Sequence, residues 1–222
     1  MHIRRDVATN TTRGRLLQLL QRRQQVTVEE MAQAMGLASA TVRRHLDILQ
    51  RDQLVSWTEA RRQTGRPHYV FFLTENGHER LPRQYDRLAS LMLLVVIALD
   101  PKDLAQESGA DLVNMVMSRA GRLMAEEHRN QMAGKDLGQR VEKIIRILEQ
   151  ESLSPEWEKV QDGYRIHCYN CPFHRVAIAY PSVCLSHLEM LSELLATDVW
   201  REECLAQGDG RCTYVVSATN QG

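Results

Sequence analysis

Apolar positions in the first fifty residues recur at helical spacing in three short runs. Leu16, Leu17, Leu19 and Leu20 lie within Arg13 to Arg23, after the cap-like pair Thr11-Thr12, and predict a first helix. Thr27 followed three residues later by Glu30 is a capping box, in which hydroxyl and carboxylate satisfy each other's free backbone amides. The helix it opens ends at Gly36, a residue able to take the left-handed conformation that stops a helix. Ser39 is then expected to cap a third helix, Ala40 to Gln50, with Val42, Leu46 and Leu49 on its buried stripe. Two short helices with a glycine turn, and the small Ala32 at their crossing, predict a helix-turn-helix. Past Leu54 the period drops to two. Ser56 to Thr58 and His68 to Leu73 read as strands around the basic turn Glu59-Ala-Arg-Arg-Gln-Thr-Gly-Arg-Pro67, so a β-hairpin wing follows.

Leu81-Pro82 closes this first domain, residues 1–83. Tyr85 to Leu99 predicts an amphipathic-to-buried helix. Its apolar run, Leu91 to Leu99, is nine residues long, whereas a bilayer core needs about 20. Asp100-Pro101 breaks it, and Leu104 to Met132 and Leu137 to Leu148 predict two more helices. Residues 84–150 thus read as a helical linker or dimerisation region, with its methionine stripe as core or helix seam. Beyond residue 150 the pattern changes again. Trp157–Val160, Tyr164–His167, Val199–Cys204 and Cys212–Val216 read as strands and Pro181–Leu195 as a helix, giving a small α+β domain over 151–222. The fold class is mainly α with small β elements: a winged helix-turn-helix, a helical middle and an α+β cysteine domain.

Composition adds little until it is split. The 222 residues are 43% apolar and 25% charged, ordinary for one large or two small globular domains, and the net charge is zero. Through Arg83, however, fourteen arginines and no lysine face eight acidic residues, a net of +6, and the remainder carries −6. Local fields steer binding even when the sum vanishes. The N-terminus lacks an apolar leader run, and five cysteines, an odd number, all lie between Cys168 and Cys212. Reduced thiols in a cytoplasmic, non-membrane protein fit that usage.

The basic half supplies a DNA-reading surface. The N-terminal end of the third helix would enter the major groove with Ser39, Thr41, Arg43, Arg44 and His45, and Arg61, Arg62 and Arg66 on the wing would lie along phosphates or in the minor groove. These residues resemble the winged-helix repressors of the ArsR/MarR/DeoR type, and Arg61 to Gly77 looks like the wing "GRP-aromatic … LT-x-x-G" of one bacterial regulator group. One such protomer reads few base pairs. A homodimer on a palindromic operator, with half-sites about 34–36 Å apart, is expected.

The cysteines run C-x2-C-x12-C-x19-C-x7-C, and three chemistries fit them. They are buried free thiols, or a zinc site built on Cys168 and Cys171 with His174 and His187 as helpers, or an iron–sulfur cluster whose ligands arrive singly from separate loops. Cys171 precedes Pro172, Cys184 falls in the first turn of a helix, and Cys212 follows Gly208-Asp209-Gly210. Asn170-Cys171-Pro172-Phe173, Cys184 and Gly208-Asp-Gly-Arg-Cys212 together resemble the SufR-type iron–sulfur biosynthesis repressors. That resemblance implies a dimeric regulator of cluster-assembly genes carrying an iron–sulfur cluster, expected as [4Fe–4S], on Cys171, Cys184 and Cys212. Cys204 and Cys168 lie outside the pattern and are the fourth-ligand candidates; zinc is the alternative metal. A rival of another class is a thiol–disulfide oxidoreductase using Cys168-Tyr-Asn-Cys171. Redox CxxC pairs open a helix, whereas Arg175–Tyr180 reads as strand-like. No nucleophile triad, phosphate loop or carboxylate pair stands out, so no enzyme is expected.

Overall fold

The computed structural model describes residues 11–60, 68–100, 102 and 109–218. The chain divides into two compact units, Met1–Pro82 and Arg83–Gly222.

In the first unit, α1 (Thr12–Arg23) opens where the Thr11 hydroxyl accepts from the Gly14 N–H at 3.1 Å. α2 (Val28–Met35) carries the full Thr27/Glu30 capping box. Gly36 then turns left-handed (φ 66°) and donates back to Ala32 and Gln33. α3 spans Ser39–Arg51. Here the structure corrects the sequence reading: Ser39 is already the first helical residue, Ala38 occupies the cap position, and no side chain caps this helix. Leu16, Leu17, Leu20, Met31, Val42, Leu46 and Leu49 form the core with Val55, Phe71 and Leu73 of the hairpin. That hairpin pairs β1 (Val55–Ala60) with β2 (His68–Leu73) antiparallel, and Val26 adds a bridge to Phe71. In α4 (Glu75–His78) the Thr74 hydroxyl donates to the Gln53 carbonyl and accepts from Gly77. A Cβ on Gly77 would collide with the Leu54 carbonyl. The Leu-Thr-x-x-Gly pattern thus has a local cause, a capped turn pressed against the start of β1.

The second unit holds α5 (Tyr85–Ile97), α6 (Gly109–Glu126), α7 (Leu137–Gln150), α8 (His174–Ala179) and α9 (Leu185–Leu195). Its four-stranded antiparallel sheet has the order β3-β4-β6-β5, from Pro155–Val160, Gly163–Cys168, Cys212–Ser217 and Val199–Glu203. α6 and α9 cross at Gly121, where a Cβ would clash with the Ser186 carbonyl and sit 2.7 Å from the Glu189 Cβ. One core joins Leu91 and Val95, Met117 and Met124, Ile144 and Leu148 to Ile166 and Val216 of the sheet. Residues 84–150 and 151–222, distinguished by their sequence patterns, therefore share a single hydrophobic interior.

Three helices differ from the sequence expectation. α6 ends at Glu126 and a 3-10 turn, Arg129–Gln131, follows, whereas helix was expected through Met132; residues 104–108 lie outside the described part. The run Arg175–Tyr180, read as strand-like, is helical. The Phe173 and Val176 carbonyls accept from Ala177 and Tyr180 at 2.9 and 2.8 Å. Six apolar-rich residues satisfy either period, and tertiary contact decides between them. α5 is buried only along Leu88, Leu91 and Val95, while Leu93, Leu94, Val96 and Ile97 are exposed. No described helix is long and apolar enough to cross a membrane.

Candidate DNA interface and thiol centre

α2 and α3 pack through Met31, Ala32, Val42 and Leu46, which turns the other residues of the α3 N-terminal half outward. Thr41, Arg43 and Arg44 are exposed, and Ser39 and His45 half-buried. Arg43 reaches back to Glu29 of α2 at 3.2 Å, both side chains well exposed. Thr41, Arg44 and His45 instead line an open groove of about 600 Å³ with Thr11, Thr12 and Arg13 at the start of α1. A helix start beside two arginines favours an anion such as a phosphate. Sequence reasoning missed Arg13, because only the fold brings the α1 start beside α3. On the wing, Trp57 and Tyr69 meet edge to face at 4.6 Å, both exposed. Arg61, Arg62 and Arg66 lie outside the described residues.

This geometry separates two arginines that look equivalent in sequence. Arg44→Ala is expected to weaken operator binding by about 1–3 kcal/mol, since a bidentate contact to a base is worth that much. Arg43→Ala should cost less, because Arg43 must give up Glu29 to reach DNA, although an exposed pair is worth under about 1 kcal/mol. Fluorescence anisotropy against one operator and one scrambled duplex checks both values.

The thiols are gathered by four separate segments of the second unit. Cys171 sits in the loop between β4 and α8, and Cys184 ends the 3-10 turn Pro181–Cys184 that leads into α9. Cys204 follows β5 and Cys212 begins β6. The Cys184 and Cys204 sulfurs are 4.0 Å apart, the Leu205 N–H donates to the Cys212 sulfur at 3.4 Å, and Cys204 hydrogen-bonds Cys212. Cys171 lies within electrostatic reach of Cys204, Cys184 and Cys212. The Arg201 guanidinium, half-buried, feels Cys184, Cys204 and Cys212. Cys168 is wholly buried on β4, opposite Cys212 across the ladder and within electrostatic reach of Cys171, and no thiol–thiol hydrogen bond joins it to the others among the described residues.

The Asn170-Cys171-Pro172 loop is anchored from several sides. Asn170 donates its side-chain amide to the Ser152 carbonyl and its backbone N–H to Leu153, and accepts from Arg83 at 2.6 Å. Arg83 also donates to the Cys171 carbonyl at 3.1 Å, and the Gln84 N–H to the Pro172 carbonyl at 3.1 Å. The first residues of the second unit therefore hold the backbone of the Asn-Cys-Pro loop.

Proton affinities follow from this packing. Burial pushes the Cys171 thiol up to about 11, against an opposing N–H from Phe173 and the charge of Arg83. Burial also raises Cys168. Cys184 and Cys212 are raised because each donates to Cys204, and by burial. Those same two hydrogen bonds hold Cys204 down. Packing the thiols this closely disfavours several thiolates at once, which a bound cation would offset. A soft, all-thiol donor set suits an iron–sulfur cluster or zinc.

Other metal-ligand candidates separate from this centre. His187, a possible zinc helper, is buried against Phe173 with ring centroids 5.2 Å apart, and burial, helped by Arg87, lowers its pKa to about 4. Glu127, His128 and Glu151 come within 4.8 Å of one another, but Arg87 bridges both carboxylates at 2.9 Å and supplies their counter-charge. The oxidoreductase reading loses one argument, because α8 does begin just after Cys171, and meets a stronger objection. A reactive CxxC thiol is accessible and low in pKa, whereas Cys168 is wholly buried and both thiols are raised.

Residues 9–56 match the family described as "Helix-turn-helix domain". That match and the fold of the first unit support a DNA-binding transcriptional regulator of the ArsR-like kind rather than an enzyme. No curated protein and no solved structure matches the chain.

Proposed function

We propose that this protein is a transcriptional repressor of the SufR kind, cytoplasmic and homodimeric, whose grip on a palindromic operator depends on an iron–sulfur cluster held by Cys171, Cys184 and Cys212. The observation that carries the reading is the meeting of these cysteines, 41 positions apart end to end, in one thiol centre whose loop is held by Arg83. When bound, the cluster cross-links the ligand segments and supplies a group that oxidants and iron shortage can remove. The protein's own residues do the rest. Arg83 and Gln84 grip the Cys171–Pro172 backbone immediately after Pro82, where the DNA-binding unit ends. An ordered ligand loop thus fixes the chain where it leaves that unit, and a loosened loop frees it. Target genes for cluster assembly follow from the SufR resemblance.

The homodimer has a candidate face in the exposed apolar residues Leu93, Val96 and Ile97, at i, i+3 and i+4 on α5. A second copy is the occupant that a two-fold operator calls for. Ile97→Glu is expected to convert the dimer to monomer in analytical ultracentrifugation and to abolish binding to a two-half-site operator. A dimer unaltered by this change removes α5 from the interface.

Zinc is the second reading, favoured by the 4.0 Å between Cys184 and Cys204. A zinc tetrahedron with sulfurs at about 2.3 Å has edges of about 3.8 Å. Iron, sulfide and zinc content of anaerobically purified protein separates the two readings. Iron and sulfide together support the repressor proposed here, and zinc without sulfide overturns its iron–sulfur part.

A further inference from the structure

We propose that Cys204 supplies the fourth thiolate of the cluster, so that the site has four cysteine ligands and Cys168 is a core residue. This rests on the iron–sulfur reading of Cys171, Cys184 and Cys212, and goes beyond that three-cysteine pattern. The case is geometric. The Cys204 sulfur lies 4.0 Å from that of Cys184 and hydrogen-bonds Cys212, so it belongs to the same thiol centre as two of the three proposed ligands, and the sulfurs move apart to admit the cluster.

The Gly-Asp-Gly turn explains why it is there. Asp209 accepts from the Cys204 N–H at 2.7 Å and donates its own N–H to the Cys204 carbonyl at 3.2 Å. Gln207 donates to the same carbonyl at 2.9 Å, and Gly208 closes the turn at φ 96°. The Leu205 N–H, one residue beyond Cys204, reaches the Cys212 sulfur. One closed loop therefore presents both Cys204 and Cys212, and its N–H groups already point at sulfur. N–H donors to ligand sulfur are a recurrent way of tuning such clusters. Arg201, two residues before the end of β5, places positive charge beside Cys184, Cys204 and Cys212 and offsets the negative charge of a four-thiolate cluster.

Cys168 also neighbours Cys212 and Cys171, but among the described residues no hydrogen bond joins its sulfur to another thiol and no turn presents it. It lies inside the β4 ladder, wholly buried, with Cys212 opposite on one side and Pro155 on the other. Coordination at Cys204 forms an S–Fe bond from its thiolate, and thiol protons still held by the other ligands leave to solvent. Ferrous and ferric iron in equal amounts, together with sulfide, come from the reconstitution mixture, so the cluster assembles with no further oxidant.

The test uses the full chain as wild type, Cys204→Ser and Cys168→Ala, each loaded anaerobically with ferrous iron, ferric iron and sulfide and checked for folding by circular dichroism. Iron and sulfide per chain, and the rate of cluster loss to a chelator, are the readouts. Cys204→Ser should lose its cluster at least about tenfold faster than wild type, since even supporting residues of metal sites are worth 10–100-fold. Cys168→Ala should match wild type. Equal iron, sulfide and chelator resistance in Cys204→Ser overturns the proposal, as does cluster loss confined to a folded Cys168→Ala.

Should Cys204→Ser misfold, maleimide labelling of wild type in mild urea decides. Protection of Cys204 on loading to the same degree as Cys171 supports ligation, and equal labelling with and without the cluster overturns it. A wild type that takes up neither iron nor sulfide fails earlier and refutes the iron–sulfur reading itself.

Discussion

Cys171→Ser should abolish both the cluster and the difference in operator affinity between loaded and metal-free protein. Of the proposed ligands, Cys171 has the most constrained loop. Its carbonyl takes the Arg83 guanidinium, and its neighbours Asn170 and Pro172 are tied to Arg83, Ser152 and Gln84. Serine preserves the loop's backbone hydrogen bonds while removing the soft donor, so the fold should persist and only the metal chemistry be lost. Allosteric coupling is typically about 1–3 kcal/mol, or 5–150-fold in affinity, and the variant should lose that entire factor. Titrating operator into reconstituted and untreated variant checks it. A Cys171→Ser protein that still binds iron and sulfide, and still responds to them, would show that the centre is assembled from other residues. Lost disulfide exchange with unaltered DNA binding would instead favour the oxidoreductase.

Leu46→Ala is expected to give the largest stability loss in the DNA-binding unit. Leu46 is 1% exposed, on the face of α3 opposite Thr41 and Arg44, and packs with Leu16, Leu20, Met31 and Leu49. Large-to-small changes at such sites cost about 2–5 kcal/mol, the lost transfer energy plus the cavity left behind. A domain of about 80 residues with a net stability of only about 5–15 kcal/mol would lose much of it. Because Leu46 holds the recognition helix against α1 and α2, operator binding should fall with stability, whereas the thiol centre, in the other unit, should load normally. Chemical denaturation and iron content measured on the same sample test this. Cluster loading lost in parallel with the first unit's melting would mean that the two units do not fold independently.

Local signals made much of the first unit legible. The Thr27/Glu30 box, the Gly36 stop and the Leu46 stripe each depend on residues within a turn or two of one another, and all three appear as read. Ser39 misled because a good capping residue at the first helical position looks the same in sequence as one at the cap. The face of the helix toward DNA was readable from the buried stripe, but not the ion pair that engages Arg43, nor the place of Arg13 beside Arg44. Both depend on how helices distant in sequence cross.

In the second unit the limits were sharper. Strand pairs joined by tight turns, such as Gln161-Asp162-Gly163, were visible from alternation. The Arg175–Tyr180 run was too short for its period to speak, and α8 forms there because Phe173 and Ala177 are drawn into the core. α5 carries apolar residues on more faces than this chain buries, so the run Leu91–Leu99 reads as buried although Leu93, Leu94, Val96 and Ile97 are exposed. The identity of the cysteines that meet was half legible. Spacing and the flanking Pro172 and Gly-Asp-Gly turn mark Cys171, Cys184 and Cys212. The separation of Cys204 from Cys168 emerges only once β5, β6 and the Asp209 loop are in place.

The central claim is that the thiol centre controls DNA binding through a cluster. The most direct measurement is the operator affinity of wild-type protein, on one preparation and at one salt concentration, before and after anaerobic reconstitution with iron and sulfide. The account predicts that the loaded form binds about 5–150-fold more tightly and that removing the cluster with oxidant or chelator restores the weaker value. Equal affinity of the two forms, with iron and sulfide demonstrably bound in one, would contradict it.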